Sequence, residues 1–194
     1  MEREVLLTGI GGQGVQLSAT TLSVAAAASD LEVLVFGSYG GAMRGGPTAA
    51  TVIIGDELLQ TPPEVDSAWS AIALHHDYWA DVRERLRPGG VVVVDTSVFR
   101  GAIDAPGANV VEVPATTLAT DGGFPKAASM VALGAFAAAT RIVALGALTA
   151  AAYEVLPSYR AQHAESNARA LAAGWEYVGD VVAAAWAEGA RSSG

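Results

Sequence analysis

The chain has 194 residues, 52% of them hydrophobic, which is enough to bury one substantial core and suits a single domain over residues 1–194. Its formal net charge of -9 comes from 20 acidic and 11 basic residues, and a surface of that sign excludes general attraction to nucleic acid. The absence of cysteine excludes disulfides, thiolate zinc sites and cysteine-ligated iron–sulfur clusters in this chain.

The N-terminal stretch predicts a strand, a glycine turn and a helix. The apolar run EVLLTGI ends in glycines, and the segment after it repeats apolar residues at helical intervals, with Val15, Leu22 and Ala26 among them. The first residues are charged and do not form an apolar signal segment, so we expect a cytoplasmic protein.

The middle of the chain predicts the rest of a sheet. LEVLVFG is typical of a second strand that completes a βαβ unit with parallel strands, and TAATVIIGDELLQ predicts an inserted hairpin around the Gly55–Asp56 turn. SAWSAIALH, VVVVD and NVVEVP predict three further strands. Between the first two of these, DYWADVRERLRPGG predicts a helix that ends at Pro88 and Gly89.

From Pro125 onward the sequence predicts helices, with breaks near Pro157 and at Gly189. The segment Ala127–Ala151 is apolar nearly all round, but it contains Arg141 and consists mostly of alanine, so a buried helix fits it better than a membrane span. We therefore expect an α/β fold with a Rossmann-like, doubly wound, mostly parallel sheet and a C-terminal helical layer. The tail after about residue 188 is expected to be flexible.

The first turn has glycines in the GxGxxG spacing of dinucleotide-binding folds, at Gly9, Gly11 and Gly14. Such folds also place an acidic residue at the end of the second strand, where it binds the ribose. Here that strand ends in Val35-Phe36-Gly37-Ser38, without an acid. Two interpretations stay open: a nucleotide site, or glycines that only let the helix pack on the strand.

A second glycine-rich loop, GSYGGAMRGGP, adds a hydroxyl, a phenol and a guanidinium from Ser38, Tyr39 and Arg44. It follows a parallel strand at its carboxyl end, where α/β folds bind ligands and partners. The loop is therefore either a contact surface or a solvated connection in which glycines supply positive φ angles.

Two polar clusters allow other functions. His75, His76 and Asp77 are metal-ligand types, but adjacent residues at a strand end point to different sides, so we predict no metal site. Asp95 follows the VVVV strand and either lines a ligand site or caps a turn or helix. GSYGG does not match the nucleophile elbow of serine hydrolases, and we assign no catalytic residue to this chain.

Three motifs in order, GIGGQG, SYGGAMRGGP and PKAASMVALGAF, resemble the γ subunit or γ domain of 2-oxoacid:acceptor oxidoreductases. These thiamine-diphosphate enzymes act on pyruvate, 2-oxoglutarate, branched 2-oxoacids, indolepyruvate or phenylglyoxylate. The resemblance covers nearly the whole chain and includes Asp66, Asn167 and Gly174. The chain departs from the family pattern at Ser129, where asparagine is common, and this bears on the substrate subclass.

The resemblance implies a role in assembly. In the family, thiamine diphosphate and Mg lie between the α and β subunits, iron–sulfur clusters lie mostly on a ferredoxin-like δ part, and the γ part packs beside the route by which coenzyme A enters. We therefore expect a hetero-oligomer with no cofactor in this chain, no contact with nucleic acid or membrane, and self-association when its partners are absent. The electron acceptor, an iron-sulfur protein such as ferredoxin or NAD, stays open.

The family motifs also select the residues expected to dock partners and to line the coenzyme A side of the site. They are Gly11, Gly12, Gln13, Gly14, Ser38, Tyr39, Gly40, Arg44, Gly45 and Gly46. A free-standing nucleotide-dependent dehydrogenase and a scaffold module without enzymatic activity remain as alternatives.

We expect Arg44→Ala to cost on the order of 2 to 5 kcal/mol in subunit association or in coenzyme A binding, because a buried charge pair would lose one partner. Arg44→Lys should recover only part of this, because it keeps the charge and loses the bidentate fork. The measurements are two titrations on the assembled complex, one of subunit association and one of coenzyme A. Wild-type values in both for Arg44→Ala would make the loop a solvated connection.

Overall fold

The computed structural model describes residues 1–39, 46–60 and 65–186, and these contain one six-stranded mixed sheet. The spatial order of the strands is β2-β3-β1-β4-β5-β6. Their bounds are β1 Glu2–Ile10, β2 Glu32–Tyr39, β3 Pro47–Gly55, β4 Ala68–Ala73, β5 Leu86–Asp95 and β6 Asn109–Val113. The α-helices are α1 Val15–Ala27, α2 Trp79–Arg85, α3 Ala115–Asp121, α4 Ala128–Thr140, α5 Leu145–Glu154 and α6 Ala164–Val178, with 3-10 helices at His76–Tyr78 and Ser158–His163.

The predicted α/β class with a mostly parallel sheet is confirmed. β1, β4, β5 and β6 run parallel to one another, and β3 is antiparallel to β1 and to β2. β3 therefore lies between the two strands predicted to form an adjacent βαβ pair. Those strands share a direction but are not hydrogen bonded to each other.

The inserted hairpin is present, but its predicted position was wrong. It consists of β2 and β3, and β3 is a single strand that ends at Gly55, with no strand in the segment from Asp56 to Gln60. The physical reason is that β1 and β2 already hydrogen bond to the two edges of β3. A strand returning after Gly55 would find no free edge on β3 to pair with.

Because successive side chains of a strand point to opposite faces, the sheet has two hydrophobic cores, one on each face. On β1, Val5 and Leu7 pack into the core that includes α1, α3, α4, α5 and α6, whereas Leu6 faces the opposite core with α2. Val93 and Val94 of β5 alternate in the same way. The sheet is thus covered on both faces, which explains the uninterrupted apolar run at residues 91–94 in β5.

The helix predicted to end at Pro88 and Gly89 is shorter than expected. α2 ends at Arg85, and Pro88 and Gly89 belong to β5. Gly89 has φ 81°, its N–H donates to Gly107 O at 2.7 Å, and the pairing of β4 with β5 shifts register between Ala68 and Ser70. Proline and glycine are tolerated here because the start of β5 is an irregular part of the ladder.

The apolar segment predicted as one buried helix forms two. α4 is buried at every position from Ser129 to Thr140, which confirms burial, and the chain leaves the helix at Arg141 with φ 52°. The Arg141 guanidinium donates to Gly179 O at 2.7 Å and lies 4.2 Å from the centre of the Trp175 ring. In the described part of the chain, no helix combines the length and apolarity that crossing a membrane requires.

Burial of α4 also changes where exposed apolar surface lies. α4 leaves no apolar area uncovered from Ser129 to Thr140, because it is enclosed by the sheet and by α6. Large exposed hydrophobic side chains include Leu34 and Val35 on the edge strand β2, Leu58 just after β3, and others on and after the C-terminal helices, namely Tyr153, Tyr177, Val181 and Val182.

A C-terminal segment, residues 182–186, closes the open end of α4. The N–H groups of Val182 and Ala183 donate to Ala139 O, the N–H of Ala185 donates to Thr140 O, and Trp186 Nε1 donates to Ile142 O. Arg3 Nε of β1 donates to Ala185 O at 2.6 Å. The predicted break at Gly189 and the predicted flexible tail after about residue 188 lie outside the described residues.

The backbones of α4 and α6 meet at two glycines. A Cβ atom at Gly174 would lie 1.8 Å from Val131 O, and one at Gly134 would lie 2.0 Å from Leu171 O. Since carbonyl oxygens cannot move aside as a flexible side chain can, any larger residue would force the two helices apart.

We expect Gly174→Ala to lower the free energy of unfolding by about 3 kcal/mol, the upper part of the range for overpacked cores. Gly146→Ala is a matched control in α5, where no atom lies within 4 Å of the new Cβ. It should be neutral or should stabilise by up to about 1 kcal/mol, because alanine favours a helix over glycine. Denaturant unfolding of both variants decides the point, and equal midpoints would contradict the backbone contact.

Candidate functional site

The carboxyl ends of β1 and β4 lie side by side, and the chain leaves them in opposite directions. From β1 it continues through α1 to β2 on one side, and from β4 through α2 to β5 on the other. Open α/β sheets bind ligands at such a topological switch point. The first glycine motif lies here.

Glycines shape the turn between β1 and α1. Gly12 has φ 102° with open space around the position of a Cβ atom, and Gly14 has φ 86° and immediately precedes α1. A Cβ at Gly14 would lie 2.5 Å from Ser129 Oγ at the start of α4. Gly14 therefore serves the left-handed turn and also lets the N-termini of α1 and α4 approach each other.

Gln13 fixes the turn internally. Its Oε1 accepts a hydrogen bond from Ile10 N at 2.8 Å, and its Nε2 donates to Leu74 O at 3.0 Å. Both ends of the amide are thus engaged, and they tie the end of β1 to the residue that follows β4. The structure gives Gln13 a positioning role, and its predicted contact with a ligand or partner stays a prediction.

The turn after β1 and the described end of the second glycine loop are adjacent. Gly11 N donates to Gly46 O at 2.9 Å. Thr48 of β3 pairs with Gly9 on one side and with Tyr39 on the other, so β1 and β2 end at the same edge of the sheet, about 10 Å apart. Of the predicted loop residues, Ser38 and Tyr39 end β2, whereas Gly40, Arg44 and Gly45 lie outside the described residues.

Asp95, at the end of β5, combines the two roles considered for it. Its side chain is buried, and its oxygens accept hydrogen bonds from Thr116 N, from Thr116 Oγ1 at 2.6 Å and from Ser97 N at 3.1 Å. The first two bonds cap the start of α3, a helix that the sequence reasoning missed. No local signal identified this helix, because Asp95 ends β5 and the whole of β6 lies between it and α3 in the sequence.

A cavity of about 380 Å³, the switch-point cavity, connects these elements. It is lined by Gly12, Gln13, Leu74, Asp95, Thr116, Pro125, Lys126, Ala128 and Ser129. Six of these residues belong to the predicted first and third motifs, and Lys126 is the only lysine in the sequence. The cavity therefore has an acid on one wall and a cation on another.

His75, His76 and Asp77 come together, which contradicts the prediction that they point apart. Their ligand atoms lie within 4.8 Å of one another, and the two imidazole rings stack with centres 4.3 Å apart. The chain turns into a 3-10 helix at His76, so strand alternation no longer applies. His75 Nδ1 accepts a hydrogen bond from Asp77 N at 3.3 Å.

Arg3, a residue of the sheet whose pKa is shifted, lies at the opposite, amino-terminal edge. Burial and the neighbouring Arg87 lower the pKa of Arg3, whose guanidinium lies 4.4 Å from the centre of the Trp69 ring. The buried Glu4 accepts from Arg87 and from Trp69 N. This edge is a structural ion-pair network, away from the switch-point cavity.

The sequence profile of the pyruvate ferredoxin/flavodoxin oxidoreductase family matches residues 4–177. The chain belongs to this family. It is 36% identical over 96 residues to the 2-oxoglutarate synthase subunit KorC of Methanothermobacter marburgensis, covering 49% of this chain and 51% of that protein. It is 31% identical over 135 residues to the ketoisovalerate oxidoreductase subunit VorA of Methanothermobacter thermautotrophicus, covering 68% of this chain and 27% of that protein.

Among solved structures, the keto/oxoacid ferredoxin oxidoreductase γ subunit of Geobacter sulfurreducens superposes with a TM-score of 0.77 at 27% identity. The superposition covers 92% of this chain and 97% of that subunit. By sequence, the chain matches about half the length of KorC and about a quarter of VorA. The resemblance noted from the three motifs is therefore confirmed at the level of the family.

We expect Gly14→Ala to destabilise the chain more than Gly12→Ala. Each substitution places a side chain at positive φ, which costs about 1 to 3 kcal/mol of stability. Only at position 14 does the new Cβ also collide with Ser129 Oγ. Ser129→Ala leaves the nearest Ser129 atom at an ordinary 3.5 Å, so it should rescue Gly14→Ala in part and leave Gly12→Ala unchanged. A double-mutant cycle from denaturant unfolding measures this coupling, and zero coupling would contradict the contact.

Proposed function

We propose that this chain is the γ subunit of a multi-subunit 2-oxoacid:ferredoxin oxidoreductase, with residues 1–194 forming a single γ-type domain. The observation that carries the proposal is the likeness to the Geobacter sulfurreducens γ subunit over nearly the full length of both chains. The family match over residues 4–177 supports it independently. The reaction is the oxidative decarboxylation of a 2-oxoacid, commonly to an acyl-coenzyme A.

The redox cofactors belong to the partner subunits. Thiolates are the usual ligands of iron–sulfur clusters, and this chain has no cysteine to supply them. This supports the assignment of the clusters to a ferredoxin-like δ part, and we assign thiamine diphosphate and its Mg to the α and β parts, as the family resemblance implies. This chain would contribute by docking to those parts and by shaping the acyl-acceptor side of the shared site.

The switch-point cavity supports a role toward coenzyme A. The N–H groups of Gly12 and Gly14 have no hydrogen-bond acceptor among the residues that the structure describes, and the 13-residue helix α1 begins immediately after them without a side-chain cap. Helix N-termini with open N–H groups bind phosphate groups. Lys126 on the same cavity adds a cation that suits a phosphate-bearing acceptor.

A free-standing dinucleotide-dependent dehydrogenase is disfavoured by the topology. In dinucleotide folds the acid that binds ribose ends the strand adjacent to the glycine turn. Here β3 separates β1 from β2, and β2 ends in Gly37, Ser38 and Tyr39. β2 is therefore not adjacent to the strand that precedes the glycine turn, and it does not end in an acid that could bind ribose.

We expect the chain, purified under native conditions from its own cells, to bring down larger subunits that carry thiamine diphosphate and iron–sulfur clusters. The complex should reduce a dye in the presence of a 2-oxoacid, and the separated chain should not. Peptide mass identification and a dye-reduction assay of each fraction make the test. Dye reduction by this chain alone, or tight binding of NAD to it, would favour the dehydrogenase and overturn the proposal.

A further inference from the structure

A second cavity, here called the basic cleft, has a volume of about 600 Å³ and lies between the start of α4, the second 3-10 helix and the first turn of α6. Its walls include Phe124, Lys126, Arg160, His163 and Asn167. None of the residues selected by the two glycine motifs lines it. The cleft shares only Pro125 and Lys126 with the switch-point cavity.

The charge of the cleft is opposite to that of the chain. The lining contains a lysine, an arginine and a histidine and no acidic residue, whereas the chain as a whole carries a formal charge of -9. Lys126 forms no ion pair within residues 1–39, 46–60 and 65–186. A local excess of positive charge in a concave site attracts anions.

Asn167 supplies a second and independent indication of a ligand. The residue is 6% exposed and lines the cleft, and its side-chain amide has no hydrogen-bond partner among the described residues. Buried amides are almost always hydrogen bonded, so an unpaired one that faces a cavity is available to bond a polar group held there.

The remaining lining determines the chemical class of the ligand. Leu17, Phe124 and Leu156 form an apolar wall, and Pro125 has no N–H to offer. Phosphate sites usually present several backbone N–H groups, whereas one carboxylate is satisfied by two or three donors. We propose that the basic cleft binds a small organic acid, with its carboxylate held by Lys126, His163 and the Asn167 amide and its apolar body against Phe124 and Leu17.

The proposal rests on this chain alone and does not depend on its assembly with other subunits. It predicts a site for a monocarboxylate of the size of phenylacetate, because a cavity of about 600 Å³ lies within the range of small-molecule sites. The uncharged amide of the same acid should not bind, because it lacks the charge that the cations attract.

The single lysine provides a selective reporter. Reductive methylation of the full chain with ¹³C-formaldehyde labels only Lys126 and the terminal amine and preserves their charge. We expect phenylacetate, 4-methylpentanoate and benzoate to shift the Lys126 signal saturably, with the terminal-amine signal fixed and with no response to phenylacetamide. No shift with any of the three acids up to 20 mM would overturn the proposal.

Phenylacetate affinities of variants, measured by calorimetry, distinguish binding in the cleft from general attraction to positive charge. Lys126→Gln and Asn167→Leu should each weaken phenylacetate binding at least tenfold. Arg100→Gln removes the same charge from an exposed arginine that does not line the cleft, and it should stay within twofold of the original affinity. Equal losses in Lys126→Gln and Arg100→Gln would overturn the site, and this comparison holds even if Asn167→Leu fails to fold.

Discussion

The backbone contact between α4 and α6 determines where the other helices of the large core lie. α4 lies between the sheet and α6 and is buried from Ser129 to Thr140, so it can carry only small or apolar residues. Gly134 and Gly174 remove the side chains that would separate the two helices. The position of α4 then brings Ser129 against Gly14, and so a packing constraint in the core determines the shape of the switch-point cavity.

Local patterns predicted most strands and the edge of the sheet at which the site lies. VVVVD and NVVEVP were confirmed as β5 and β6, and the glycine turn was confirmed between β1 and α1. The insertion of β3 between β1 and β2 was not predictable, because strand order depends on pairing between distant segments. The break at Arg141 was missed for a related reason, since its left-handed conformation is stabilised by Trp175 and Gly179 from α6 and beyond.

The candidate site shows why a glycine motif alone does not specify a ligand. Gly14 was open to a structural and a functional interpretation, and its contact with Ser129 shows that the structural one holds. The N–H groups of Gly12 and Gly14 have no acceptors in the described chain, so the functional interpretation, a ligand bound at this turn, stays open as well. Sequence reasoning could not relate Gly14 to Ser129, because nothing local connects the two motifs.

The segment at residues 182–186 has a consequence for biosynthesis. It supplies the donors for Ala139 O, Thr140 O and Ile142 O, and its own Ala185 O accepts from Arg3 of β1, which is synthesised before it. During translation, the C-terminal end of α4 therefore lacks the partners of these carbonyls until residues 182–186 have been made, and Arg3 lacks an acceptor that lies 182 positions later in the chain. The helical layer is completed only after residue 186 has left the ribosome.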